Sequence, residues 1–329
     1  LKATALRLKA AGHMLSGSRS RLLPQVNAEV SNARNNQAID AETGENITEN
    51  AHRLSLGIRW EIDIWGRLAD EYAASESAML AKEYEYLYAR DALAARVIQA
   101  WIEQVAVQKS LDIEAERIEV LKRIETVLIE RYKNGIGNLD ELSAAKTRTE
   151  IAKADWSERN AERLRAVRKL EVLLGRYPRG ELLSGNDLPA VKPPRADIPA
   201  AALLNRPDIR AALAHAESAR NVSSAAKKAM LPELRLSGQV FKESARLGNI
   251  GSGTGYWGIL GSLFQPLFEG GRIMNESRAR RAEAQAALTE LYEVVLQALK
   301  EAEDAFDLER ELAVQANALK IARRESEKT

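Results

Sequence analysis

The chain has 329 residues, 45% hydrophobic and 29% charged, with a formal net charge of +1. It is too apolar for disorder and long enough for a sizeable core, and its charge balance gives no reason to expect a nucleic-acid partner, since basic pairs such as Arg280-Arg281 and Arg323-Arg324 have acidic neighbours. Cysteine is absent, which removes disulfide and thiolate-metal frameworks; no run of about 18 apolar residues offers a transmembrane helix, and residues 1–15 do not read as a secretion signal. If the chain meets a membrane, strands must do it.

An opening helix gives way at Leu23-Pro24 to strands predicted over 22–35 and 52–65, separated by the loop-like "NQAIDAETGENITEN". The second strand, in "SLGIRWEIDIWGRLADEY", alternates strictly. Leu56, Ile58, Trp60, Ile62 and Ile64 share one parity, and Ser55, Gly57, Arg59, Glu61 and Asp63 the other. A strand of about 14 residues spans roughly 46 Å at about 3.3 Å per residue, enough to cross a bilayer core of about 30 Å when tilted.

After Gly66 the period becomes helical, and neither Pro nor Gly interrupts it before Asn134. The predicted helix 66–134 would be on the order of 100 Å long at about 1.5 Å per residue. Its apolar residues recur in coiled-coil fashion, as in Val97, Ile98, Trp101, Ile102 and Val105, and again in Val120, Leu121, Ile124, Val127 and Leu128. Gly135 is a helix stop, and Asn138 with Glu141 makes a capping box that starts a returning helix over 138–177. Residues 178–204 hold five prolines and two glycines and read as an irregular connector. Asn205-Arg206-Pro207-Asp208 then opens the next helix, with Pro in its first turn and Asp complementing the dipole.

The second part repeats the plan of the first. Leu231-Pro232 stands 208 positions after Leu23-Pro24, and Gly271-Arg272 stands 205 after Gly66-Arg67. Strands are expected over 232–246 and 256–268, around "GNIGSGTG", followed by a long helix over 271–329. Trp257, Ile259, Leu263 and Leu267 keep the apolar parity, whereas Leu260 and Phe264 fall on the other. Residues 1–177 are thus a first repeat, 178–204 a connector, which the resemblance given below makes equatorial, and 205–329 a second repeat.

Two hairpins cannot close a barrel, and open sheet edges are forbidden in lipid, so closure must come from further copies. In such a barrel Arg59, Glu61 and Asp63 would line water, and Leu56, Ile58, Trp60, Ile62 and Ile64 would face outer-membrane lipid. A hairpin packed on the helices of a soluble protein would also alternate. The lengths of the strands and helices favour the membrane reading.

At these residues the sequence resembles the TolC-like outer-membrane efflux channels, or outer-membrane factors. "LGIRWEIDIWGRL" resembles their first strand-to-helix signature, "LEVLLGRYP" the end of the first returning helix, "LLNRPDIRAA" the second-half entry and "PLFEGGRI" the second strand-to-helix junction. The resemblance implies a mainly helical protein with membrane β-structure. Each of its two repeats would be a β-hairpin plus very long coiled-coil helices, and a trimeric twelve-stranded barrel would continue into a periplasmic α-barrel. It implies a passive exit duct of a tripartite pump, working with a periplasmic adaptor protein and an inner-membrane transporter. The adaptor would meet the first helix-turn-helix tip, where the family pattern matches Arg131, Gly135, Asn138, Glu141 and Leu142. Asn138 and Asp140 depart from that pattern. The equivalent second tip falls beyond Thr329, so the chain is read as a fragment and no gate residues are carried over; a lipidated amino-terminal cysteine, found in many relatives, is also absent from it.

Enzymatic chemistry finds no support. His13, His52 and His215 lack paired ligand spacing, "GSGTG" at 251–255 has no P-loop lysine, and Asn46-Ile-Thr48 is only a formal glycosylation sequon. Glu61 and Asp63 share a parity as a catalytic pair might, but a solvated wall explains them better. No cofactor or metal is expected. The competing reading is a soluble coiled-coil or periplasmic adaptor protein with decorative hairpins.

Overall fold

The computed structural model describes residues 1–38, 46–182, 185, 188–189, 191 and 203–328. The first hairpin's loop and most of the 178–204 connector lie outside the described residues. The chain divides into two compact units, one built from Ala89–Arg195 and the other from Lys2–Tyr88 with Ala196–Thr329.

The second unit holds the sheet. Helix α1 (Lys2–Ser20) leads into strands β1 (Gln25–Ala38) and β2 (Asn46–Ile62); α4 (Pro207–Lys228) leads into β3 (Glu233–Ser244) and β4 (Thr254–Phe264), with a 3-10 turn at Leu247–Ser252 between them. Helix α5 (Arg272–Ser326) follows. The strands form one antiparallel sheet in the order β1-β2-β3-β4, so β1 and β4 are its free edges. In register, Leu56 of β2 faces Ala28 on one side and Val240 on the other, which brings apolar residues of all four strands onto one face.

The helical core of this unit is made of small side chains: Leu68, Ala74 and Ala81 on helix α2 (Arg67–Lys133), Ile209, Ala211, Ala214, Ala216 and Ala225 on α4, and Ala298 on α5. Alanine lets backbones approach closely enough for backbone acceptors to be reached, as when Ser218 Oγ donates to the Ala74 carbonyl at 2.8 Å. At the start of α4, Arg206 forks onto Asp208 at 3.1 and 2.8 Å and reaches Glu301 of α5 at 2.7 Å. Burial pushes the Asp208 carboxyl up, yet the Arg206 bonds hold it below the usual carboxylate range.

In the other unit the distal part of α2 pairs with α3 (Leu139–Leu173). Leu142, Ala145, Thr149 and Ala152 recur at steps of three and four and are buried, as are Ala100, Val105, Leu111 and Ile118 of α2. Of the expected α2 seam, Val105 is covered, but Ile98, Ile102, Val120, Ile124 and Val127 are exposed within this chain.

Several boundaries differ from the sequence expectation, each for a local reason. Strand β1 starts at Gln25 rather than 22, because Leu22 and Leu23 donate back to Arg19 and Ser20 in the turn closing α1. Strand β2 ends at Ile62, so Asp63 and Ile64 are not strand residues as the alternation suggested; the Ile64 N–H turns back to the Ile62 carbonyl at 2.9 Å. Strand β4 stops at Phe264, just before Pro266, which leaves Leu267 outside the sheet. Helix α3 stops at Leu173 rather than 177, because Gly175 takes φ +72° and Arg176 donates to the Glu171 carbonyl.

Candidate functional site

The sheet is two-faced from the row of Val30 and Leu54 to the helix junctions. One face carries Val26, Ala28 and Val30 from β1, Leu54, Leu56, Ile58, Trp60 and Ile62 from β2, Leu234, Leu236 and Val240 from β3, and Trp257, Ile259 and Leu263 from β4. Most of these are solvent-exposed within the chain, Trp257 to 77% and Ile259 to 73%. Gly238 lies between Ile58 and Ile259, and a Cβ there would meet Ile58 Cγ2 at 2.9 Å. From Leu54 to Ile62 the belt covers roughly 27 Å of strand at about 3.4 Å per residue, on the scale of a membrane β-barrel's apolar band.

The opposite face carries every carboxylate of the sheet: Glu29, Glu49, Glu61, Glu233 and Glu243. Arg53, Arg59 and Arg235 share it. Arg53 donates twice to one Glu243 carboxylate oxygen, at 3.1 and 2.8 Å, and lies over the Phe241 ring, which stacks on Tyr256 at 4.9 Å between centroids. Arg235 pairs with Glu233 and lies over the ring of Phe264. Aromatic residues on the charged face are therefore covered by arginines, which accounts for the parity break at Phe264. The Arg53–Glu243 partnering joins residues 190 positions apart and left no local signal in the sequence. A recess of about 470 Å³ opens on this face, lined by Arg21, Gln25, Arg59, Glu61, Arg235 and Ser237 among others.

Glu61 and Asp63 are bound into the strand-to-helix junction. Glu61 accepts from Arg67 at 2.5 Å, Arg67 also reaches Glu71 at 2.7 Å, and Glu71 meets Arg21 at 2.5 Å. Asp63 accepts the Ala69 N–H at 2.8 Å, capping the first turn of α2, whose entry is Gly66 at φ +72°. Lys228 of α4 donates to the Gly66 carbonyl at 3.1 Å and pairs with Asp70 at 2.6 Å, tying α4 to the start of α2. Trp60 is half-buried and donates to the Leu22 carbonyl at 3.0 Å; Trp65 donates to that of Pro232 at 2.8 Å. The second junction is looser: Gly270 and Gly271 both have positive φ, and Leu267 and Phe268 are 92% and 89% exposed.

The turn between α2 and α3 closes as a Schellman motif. Gly135, at φ +72°, donates to the Tyr132 carbonyl and Ile136 to that of Arg131. Asn138 caps α3 by accepting the Asp140 N–H at 2.9 Å. The reciprocal bond from Glu141 that a capping box requires is not present among the described residues. Arg131, Gly135, Asn138 and Glu141 are exposed, but Leu142 is buried in the α2–α3 seam at 6% exposure, so its side chain supports the turn and is not presented at the surface, contrary to the expectation from the motif.

No helix among the described residues is long and apolar enough to cross a membrane. Long helices joined to such a sheet through Gly-Arg junctions give the chain the fold of solved outer-membrane proteins. The solved outer membrane protein VceC of Vibrio cholerae superposes with a TM-score of 0.92 at 22% identity, over 100% of this chain and 80% of VceC. The outer membrane efflux protein family model matches residues 1–176 and 198–327, and the chain belongs to that family. Its place is therefore the outer membrane. Among curated relatives, the cation efflux system protein CusC of Escherichia coli O6:H1 is 26% identical over 300 residues, 90% of this chain. The chain spans 64% of CusC, less than two thirds of that relative's length. Outer membrane protein OprJ of Pseudomonas aeruginosa is 28% identical over 334 residues, 97% of this chain and 68% of OprJ.

Proposed function

We propose that this chain forms the outer-membrane exit duct of a tripartite efflux or secretion pump. Three copies, each giving four strands, close a twelve-stranded barrel with the apolar face toward lipid and the charged face toward a water-filled lumen, and the long helices extend into the periplasm. Conduction is passive. An inner-membrane transporter supplies the energy, and a periplasmic adaptor protein binds the turn displaying Arg131, Gly135, Asn138 and Glu141.

The observation that carries this reading is a sheet with one carboxylate-free apolar face and both edge strands unpaired. An open edge in lipid leaves backbone groups unsatisfied at several kcal/mol each, and pairing β4 of one copy with β1 of the next removes both edges. The test combines the mass of the detergent-solubilised assembly with cysteine accessibility in proteoliposomes. A trimer in which cysteines at Arg59 or Gln239 react with a membrane-impermeant reagent, while those at Leu56 or Ile58 do not, supports the duct. A monomer labelled equally on both faces would instead identify a soluble coiled-coil or adaptor protein.

A further inference from the structure

From the distribution of charge over the sheet we infer that the end of the apolar face remote from the helix junctions docks phosphorylated headgroups of the outer-leaflet lipid. The inference rests on the reading above, in which that face meets lipid. Following the apolar parity away from Ile62, the belt ends at the row of Val30 and Leu54, where β3 contributes Lys242, and the next rows on the same face hold Asn32, His52 and Ser244, then Arg34 and Asn50.

Three features distinguish this rim from an ordinary solvated strand end. First, among the described residues its face carries cations and no carboxylate: Arg34 and Lys242 are charged and His52 adds a ring nitrogen, while the carboxylates of the four strands lie on the opposite face, where Glu243 is already taken by Arg53. Second, the cations are not consumed internally. Among the described residues Lys242 donates to the Gly251 carbonyl alone, at 2.6 Å, Arg34 has no partner, and His52 uses Nδ1 toward Asn32 at 2.6 Å. Third, they are spaced for one polyanionic headgroup. Arg34 and His52 are diagonal neighbours across the β1–β2 pair, as are His52 and Lys242 across β2–β3. Diagonal neighbours stand about 7–8 Å apart, within reach of long side chains converging on phosphate oxygens.

The position along the strands agrees with the chemistry. Trp257, 77% exposed, belongs to the row of Leu56 and Val240 just inside the cationic rim, where an indole at a membrane interface would sit. Apolar belt, aromatic side chain and cations thus follow one another in the order of acyl chain, interface and phosphate. Lumenal cargo would meet the other face.

The experiment measures retention of bis-phosphorylated lipid A by the assembled protein, after detergent exchange and in proteoliposomes. The Arg34→Gln, Lys242→Gln double variant should bind it about thirty-fold more weakly, roughly fivefold per cation, and the unaltered protein should discriminate similarly against dephosphorylated lipid A. Arg59→Gln, on the opposite face, should leave retention unchanged. Equal retention by the double variant and the unaltered protein, or indifference to the phosphates, would overturn the inference. Quenching of Trp257 by brominated acyl chains, read as the difference from Trp257→Phe, separates the two levels. Quenched Trp257 with unaltered lipid A retention in the double variant sinks the headgroup site alone; unquenched Trp257 overturns the lipid-facing reading and the headgroup site with it.

Discussion

The carboxylate of Glu61, one residue before β2 ends, accepts a hydrogen bond from Arg67, in the first turn of α2, at 2.5 Å. Arg67 is only 15% exposed at its side chain and continues to Glu71, which Arg21 completes from the turn after α1. Replacing Arg67 by Met leaves the partly buried Glu61 carboxylate without its cation and leaves Glu71 with Arg21 alone. The expected loss is about 2 kcal/mol, in the range for hydrogen bonds to charged groups and below that of a fully buried ion pair. Glu61→Gln, which keeps an acceptor, should cost less. Urea titration of the refolded protein in vesicles checks both, and an unchanged midpoint for Arg67→Met would mean that the junction is held elsewhere.

A charge placed on the apolar face tests its environment directly. Ile58→Arg should destabilise the assembled sheet by roughly 2 to 4 kcal/mol if that position lies near the bilayer midplane, whereas Gln239→Arg on the opposite face should be close to neutral. Folding yield into vesicles reports the difference. Similar behaviour of the two variants would remove the distinction between the faces.

At the α2–α3 turn, backbone conformation is the sensitive quantity. Gly135→Val forces a β-branched residue to φ +72° and should cost about 1 to 2 kcal/mol locally, and Asn138→Ala should cost about 1 kcal/mol through the lost cap. Glu141→Gln, with no cap bond to lose, should leave stability within about 0.5 kcal/mol. If an adaptor reads this turn, Gly135→Val abolishes adaptor crosslinking while trimers persist. Crosslinking that survives Gly135→Val places adaptor binding at another surface.

Glu171 offers a prediction in pH. Its carboxylate accepts the N–H groups of Gly180, Glu181 and Leu182 at 2.7, 3.0 and 3.1 Å, and these bonds, Gly180 first, hold its pKa below the ordinary carboxylate value. A depressed folded pKa contributes stability above the unfolded value near 4.5 that is lost as pH falls through the folded one. Amide exchange at residues 180–182 should therefore be slow at neutral pH and accelerate, beyond its intrinsic pH dependence, only in acid below that value. Glu171→Gln should abolish this acid-specific step, and an identical profile in the variant would sink the assignment.

The parity of β2 and the Gly-Arg start of the long helix were legible because each is a local pattern within a dozen residues. The Leu-Pro and Gly-Arg pairs marked the approaches to strands β1 and β3 and the starts of helices α2 and α5. Asp63 was misassigned to a strand face because alternation continues through Ile64 in the letters, while the backbone has already turned to let Asp63 cap α2. Leu142 matched the tip motif by position, yet its spacing from Ala145 and Thr149 belongs equally to a buried seam, and the structure buries it. The segregation of all sheet carboxylates onto one face needed the β2–β3 register, which no sequence neighbour encodes.

That same register sets a schedule for the protein. Residues 52–62 pair with 234–244, so the first hairpin exists long before its partner strand does. At synthesis rates of about 5 to 20 residues per second the intervening chain takes on the order of 10 to 40 s to emerge, and closing so long a loop carries its own entropic delay. Throughout that interval β2 presents an unsatisfied backbone edge beside Leu54, Leu56 and Ile58, the combination that invites strand-to-strand aggregation. Wherever β1 and β2 pair before β3 is available, the register therefore makes the first hairpin a vulnerable intermediate until the second one joins it.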